Sequence, residues 1–516
     1  MTVDKPGEEM TDLELSELVE LLRDLIRIKS VNPPGDEILA ARYLEQVLAA
    51  EGIPSTVVEP FPGRGSIVAR LHGDGAPDGD GGPEADGAPK RDGALDGTDG
   101  APKRDGALLL ISHLDVVPAD PAGWSHDPFG GDLADGYVWG RGAMDMKSMV
   151  AMEVQVMRRL ARAARAAGRD PATDPIPGLH RDVIFCSTAD EEAGGWNGAG
   201  WIVDNHPDWL AAAGALNEAG GISTTYGGVR FYPIQVAEKG FVVYKIRVKG
   251  HWGHGSVPTP DNAAVLAARI VTRLAEPGPL RITAPIGASL RRAAPHLTAS
   301  AASAASASAV AALATAGAGA GAGTAAGATS VTADPARVEA TLHELLDPVL
   351  ARTISAMIHD TISVGIVRAG IKYNVIPGTA EIEIDCRTLP GTDEPAMRAE
   401  LRRRIGEELW NRIDVECEQQ GPSVEAALDS PLYRLLEQAI VDHDAGAVPL
   451  PFLAPFATDA KHLARIGVPT YGFSPLETGP GDGLLDLMHA DDERVSVEAL
   501  RFGLPVLYDA VIRFCR

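Results

Sequence analysis

Three short apolar runs constrain the fold of this 516-residue chain more than any other feature: Leu108-Leu109-Leu110-Ile111, Val183-Ile184-Phe185-Cys186 and Gly214-Ala215-Leu216. A strand covered on both faces needs an apolar side chain at every position, which is how buried parallel strands read. Helical spacing returns between the first two runs, over Lys147 to Ala164. Strands alternating with helices predict an α/β layered domain on a mostly parallel sheet. The chain is too long for one hydrophobic core, so a second domain is expected.

The rest of the chain supplies that second unit. Val242, Tyr244, Ile246 and Val248 alternate with more polar positions, as do Ile382, Ile384 and Cys386 with Glu381, Glu383, Asp385 and Arg387. Each pattern is a strand with one wet face. With a helix at 261–275 they predict a smaller α+β unit, a lid or dimerisation domain at 239–389, inserted into a catalytic domain formed by 1–238 and 390–516. Helices at 11–28, 37–51, 394–409, 430–443 and from Ser496 onward complete the catalytic domain. Thr11 and Glu14 form a capping-box pattern for the first, and Asn32-Pro33-Pro34-Gly35 ends it. Residues 73–106 contain the duplication DGAPKRDGAL, at 86–95 and 99–108. Such Gly/Pro/Asp-rich sequence cannot bury a core and is expected to be a disordered insertion. The Ala/Ser/Gly-rich stretch 299–329 reads as a frayed helix or a linker.

Composition removes several function classes. A formal net charge of −25 disfavours nucleic acid and anionic membrane as partners. No run approaches a spanning helix, and the polar, acidic N-terminus lacks the features of a signal peptide, so the cytoplasm is the default expectation. Cys186, Cys386, Cys417 and Cys515 are far apart and signal neither a disulfide framework nor a thiolate metal site.

The chemistry-bearing residues follow the apolar runs, where ligands bind in open α/β sheets. The first run leads into Ser112-His113-Leu114-Asp115, the second into Asp190-Glu191-Glu192, and the third into Asn217-Glu218. Asp145 lies between the first two, and His489 near the C-terminus. Imidazole and carboxylate together are zinc ligands, and a two-metal site needs a carboxylate that bridges. A lone His-x-Asp or Glu-Glu pair is more often structural; several at successive strand ends read as a site.

These segments resemble the co-catalytic zinc hydrolases that include carboxypeptidase G, aminoacylase, acetylornithine deacetylase, succinyl-diaminopimelate desuccinylase, carnosinase-type dipeptidases and carboxypeptidase S. The matching blocks are SHLDVVP, GRGAMDMK, DEEAGG, NEAGG, GHGSVP, NVIPGTAEIEIDCR and MHADDE, in the family's order from about 110 to 495. The resemblance implies two zinc ions, with cobalt or manganese as substitutes. His113 and Glu218 would hold one, Glu192 and His489 the other, and Asp145 would bridge them. Asp115 would orient His113, and Glu191 would be the general base. His254, in Gly253-His254-Gly255-Ser256, would stabilise the oxyanion, with His251 as its rival. Arg387 would grip a substrate carboxylate and Asn374 would also touch substrate; the competing reading pairs Arg387 with Asp385 or Glu383.

The implied reaction is hydrolysis of an amide bond next to a free carboxylate, of the dipeptidase or carboxypeptidase type. The alternative is an N-acyl-amino-acid deacylase, and the remote alternative an inactive binding relative. The substrate would be a small peptide or N-acyl amino acid. In the family the oxyanion histidine often comes from a partner subunit, which makes a homodimer through the inserted domain an expectation. Two departures bear on the pocket. Pro455-Phe456-Ala457-Thr458-Asp459 stands where many members carry Gly-Gly-Thr-Asp. The inserted unit is long, which favours the carboxypeptidase S-like branch.

Overall fold

The computed structural model describes residues 10–75, 106–300, 329–330, 340, 342–343, 348–479 and 481–516. The duplicated segment up to residue 105 and most of the Ala-rich stretch lie outside the described residues.

All three apolar runs are strands, buried along their whole length: Leu108–His113, Val183–Thr188 and Gly214–Asn217. They form the middle of a ten-stranded mixed sheet. Val183–Thr188, Leu108–His113, Gly214–Asn217 and Thr470–Gly472 run parallel side by side. Antiparallel strands flank them, with Arg64–Leu71 on Val183–Thr188 at one side and Val229–Glu238 on Thr470–Gly472 at the other. The helices Asp12–Arg27, Lys147–Ala166 and Val497–Cys515 pack against one another and, with the sheet, bury one large apolar core. Thr11 closes its capping box with Glu14 through bonds of 2.9 and 3.2 Å. No helix among the described residues is long and apolar enough to cross a membrane.

A second sheet of four antiparallel strands is built on Gly240–Lys249, which follows the long strand Val229–Glu238 after a single residue. Its inward residues Val242, Tyr244, Ile246 and Val248 meet the helices Ala263–Leu274 and Glu394–Ile405 in a separate core. That core runs past residue 389: Met397, Leu401, Ile405 and Ile413 belong to it, and strand Ile413–Gly421 pairs with Gly240–Lys249. Conversely, Leu280, Ile282, Ile286 and Met357 join the large core. The second sheet thus runs on to Gly421, past residue 389. Helical spacing marks an apolar stripe on 394–405 but does not say which sheet the stripe covers.

Candidate metal centre

Six of the residues singled out in the sequence meet in one cluster beside the carboxyl ends of the parallel strands. His113 ends its strand, Glu218 directly follows Asn217, and Glu191 and Glu192 open a short turn after Val183–Thr188. Asp145 stands two residues before the helix Lys147–Ala166. One oxygen of Asp145, Oδ1, lies 3.2 Å from His113 Nε2, and the other, Oδ2, lies 3.2 Å from His489 Nε2. His113 Nε2 is also 3.6 Å from Glu218 Oε2, and His489 Nε2 is 3.2 Å from Glu192 Oε2. Two donors each bound to one tetrahedral cation at about 2.0–2.2 Å are themselves about 3.3–3.6 Å apart. The observed separations fit that requirement, and buried Glu192 Oε1 has no hydrogen-bond partner. Glu191 falls within the same radius: ligand atoms of His113, Glu191 and Glu218 lie within 4.8 Å of one another, as do those of His113, Asp145 and Glu192.

The backbone is held in uncommon conformations here. Asp190, Ala219 and His489 all have positive φ, at 72°, 68° and 61°. For a residue with a Cβ this costs roughly 1–2 kcal/mol, and such strain clusters where geometry serves a function.

The imidazoles and carboxylates of the cluster shift one another's protonation. Burial alone would depress the His113 imidazole, but the Glu218 charge and contacts with Asp115 and Asp145 raise it well above an ordinary histidine. Hydrogen bonds to Asp145 and Glu192 lift His489 to about 10. Burial pushes Glu218 up to about 7 and raises Glu191 well above the usual carboxylate range, with Glu218 adding to the rise in Glu191. Burial works against ionised Asp145 too, but the two imidazoles outweigh it and hold that carboxyl far down.

Asp115 is placed differently from a simple partner of His113. Its backbone carbonyl is 3.0 Å from His113 Nδ1, while its carboxylate is 3.5 Å away. The carboxylate instead accepts the backbone N–H groups of Glu191 and Glu192, at 3.1 and 3.0 Å, and so ties the acidic turn to the histidine strand.

Two supporting residues were not singled out by their sequence spacing. Glu493, fully buried, accepts the N–H groups of Met144 and Asp145 at 2.8 and 3.0 Å and pairs with Arg141 Nη1 at 2.6 Å. Arg141 in turn donates to the carbonyl of His489 at 3.3 Å. Both lie in quoted blocks, but 352 residues separate them and no local pattern reveals the pair. Arg141→Met would leave Glu493 buried and unpaired, so it is expected to cost about 3–5 kcal/mol of folding stability, readable by urea unfolding.

The other three predicted site residues are not brought to this cluster. His254 is exposed and hydrogen-bonds Ser256 Oγ at 2.7 Å. Asn374, half-buried beside Gly255, has an unpartnered Oδ1. Arg387 grips Asp385 through two bonds of 2.9 Å, as the competing reading has it. His251, the rival of His254, pairs with Asp261.

Imidazoles and carboxylates spaced for cations at the carboxyl end of a parallel sheet, with His113 buried and His489 at the exposed rim, are the equipment of a metal-dependent hydrolase. The chain belongs to peptidase family M20/M25/M40, whose model matches residues 109–513. It is 26% identical over 406 residues to the N-fatty-acyl-amino acid synthase/hydrolase PM20D1 of Xenopus tropicalis, covering 76% of this chain and 69% of that one. It is 25% identical over 495 residues to aminoacylase-1 of Sus scrofa, covering 95% and 93%. Its fold is similar to the M20 family metallo-carboxypeptidase Sso-CP2 from Sulfolobus solfataricus, with TM-score 0.63 and 15% identity over 98% of this chain and 99% of that one.

Proposed function

We propose that the protein is a dizinc hydrolase of amide bonds whose amine side carries a free carboxylate. One observation carries this reading: the two oxygens of Asp145 each face a different imidazole, the arrangement a bridging carboxylate needs. In the proposal His113 and Glu218 hold one zinc, and Glu192 and His489 hold the other. When bound, such a pair polarises the scissile carbonyl and makes a water molecule more acidic. Glu191 takes the proton from the attacking water and delivers it to the leaving nitrogen. Asp115 keeps Glu191 and Glu192 in register by binding both backbone N–H groups. His254, from a second copy of the chain, donates to the developing oxyanion. Arg387 takes the substrate carboxylate in its planar fork, in exchange for Asp385, and Asn374 offers a side-chain contact.

Within this class a deacylase reading competes with the peptidase reading. It is favoured by the names of the two sequence relatives, an N-fatty-acyl-amino acid synthase/hydrolase and an aminoacylase. Hydrolysis of a panel tests both: dipeptides, short and long N-acyl amino acids, and the C-terminal amide of each. Cleavage is expected to fall steeply, by roughly tenfold or more, when the carboxylate is amidated and a charge-assisted bond is lost. Equal turnover of acid and amide contradicts the carboxylate requirement. The preferred acid assigns peptidase or deacylase.

A further inference from the structure

We propose that Asn32, Glu37 and Arg64, all ahead of the matched span 109–513, form a brace that positions the Glu191–Glu192 turn for metal binding. The proposal rests on the dizinc reading and names positioning residues that touch neither metal nor substrate.

The brace is a continuous set of short bonds. Arg64 Nη1 donates to Glu37 Oε1 at 2.6 Å, and Arg64 Nη2 donates to Asn32 Oδ1 at 2.8 Å. Asn32 Nδ2 then donates to Asp115 Oδ2 at 2.8 Å. Asp115 holds the N–H groups of Glu191 and Glu192. A second arm reaches the same turn from the other side: Arg64 Nη2 lies 3.4 Å from Asp190 Oδ1, and Glu37 Oε1 accepts the Asp190 N–H at 3.4 Å. Asp190 is the residue held at φ 72° directly before Glu191. The brace thus grips both carboxylates that fix this strained turn.

The local chain is shaped for the arrangement. Asn32 is pinned by its backbone, donating to the Val116 carbonyl at 2.9 Å, while the Val116 N–H donates to Ser30 at 3.0 Å. The Arg64 guanidinium passes directly over Gly35, where a Cβ would lie only 2.1 Å from Nη1. Gly35 also has φ +85°, so glycine suits the position twice over. The Glu37 side chain is fully buried and that of Arg64 is only 13% exposed. A surface ion pair would be worth little, but a buried planar guanidinium with several fixed acceptors sets geometry.

Zinc titration of the apoprotein by calorimetry tests the brace. Groups that orient metal ligands typically change affinity 10–100-fold when removed. Asn32→Ala and Arg64→Met are each expected to weaken zinc binding about 10–100-fold at one or both sites. The control is Arg159→Met, which removes a similarly buried pair, Arg159 with Glu14 at 2.6 Å, away from the cluster. It is expected to lower stability while zinc affinity stays at the wild-type value. Asn32→Ala deletes only one amide and keeps the test readable should Arg64→Met fail to fold. Wild-type affinity in Asn32→Ala, or an equal loss in Arg159→Met, overturns the brace and leaves the dizinc reading standing. Wild-type protein that takes up no zinc overturns the dizinc reading, and the brace with it.

Discussion

Replacing Glu191 with glutamine is expected to cut turnover by about 10²–10⁴-fold while the metal content stays at the wild-type level. Glutamine keeps the shape and most of the packing of glutamate but cannot take a proton. The prediction is sharp because Glu191 sits close enough to His113 and Glu218 to be a ligand instead. The two roles separate in the metal count. A base lost without its neighbours leaves the cations bound. A ligand lost lowers the metal content along with the rate. Turnover measured beside metal analysis of the same sample therefore decides the role of Glu191. Retained activity contradicts the assignment of the base.

Removing the cations should be as damaging and fully reversible. Dialysis against a chelator is expected to abolish hydrolysis, and added zinc is expected to restore it. Metal uptake should also depend on pH in a defined direction. Without cations His489 lies at about 10 and Glu218 at about 7, raised by hydrogen bonds to carboxylates and by burial respectively. Near neutral pH His489 and His113 therefore hold protons, and burial keeps Glu218 from ionising freely. A cation must displace these protons, because only the deprotonated groups can bind it. Lowering the pH through about 7 adds protons to the empty cluster, so affinity falls, by about tenfold per pH unit for each proton displaced. Raising the pH from there strengthens binding until His489 is also deprotonated. Calorimetric titration in buffers of different ionisation enthalpy reads the proton release directly. Affinity that stays flat between about pH 5 and 8 contradicts this account of the site.

Much of the centre was legible in the sequence, for a physical reason. Parallel strands covered on both faces must be apolar throughout, so Leu108–His113 and Val183–Thr188 stand out. Ligands gather where such strands end, which made His113, Glu191, Glu192 and Glu218 readable from position as well as type. Asp145 and His489 came from block resemblance, since neither follows a central strand. The supporting contacts were not legible. Asn32 read only as part of a helix stop, yet its amide reaches Asp115 across 83 residues. Arg141 and Glu493 meet across a still longer separation, and hydropathy patterns carry no register between distant segments. The reach of the second core to Ile413 was hidden for the same reason. His254, Asn374 and Arg387 are expected from the resemblance alone, and in the structure they lie outside the cluster, with Arg387 held by Asp385.

Anomalous diffraction from crystals grown with zinc, collected on both sides of the zinc absorption edge, tests the central claim most directly. The account predicts two peaks about 3.5–4 Å apart, one among His113, Asp145 and Glu218 and the other among Asp145, Glu192 and His489. No peak at these residues, or one peak that leaves an oxygen of Asp145 uncoordinated, contradicts it.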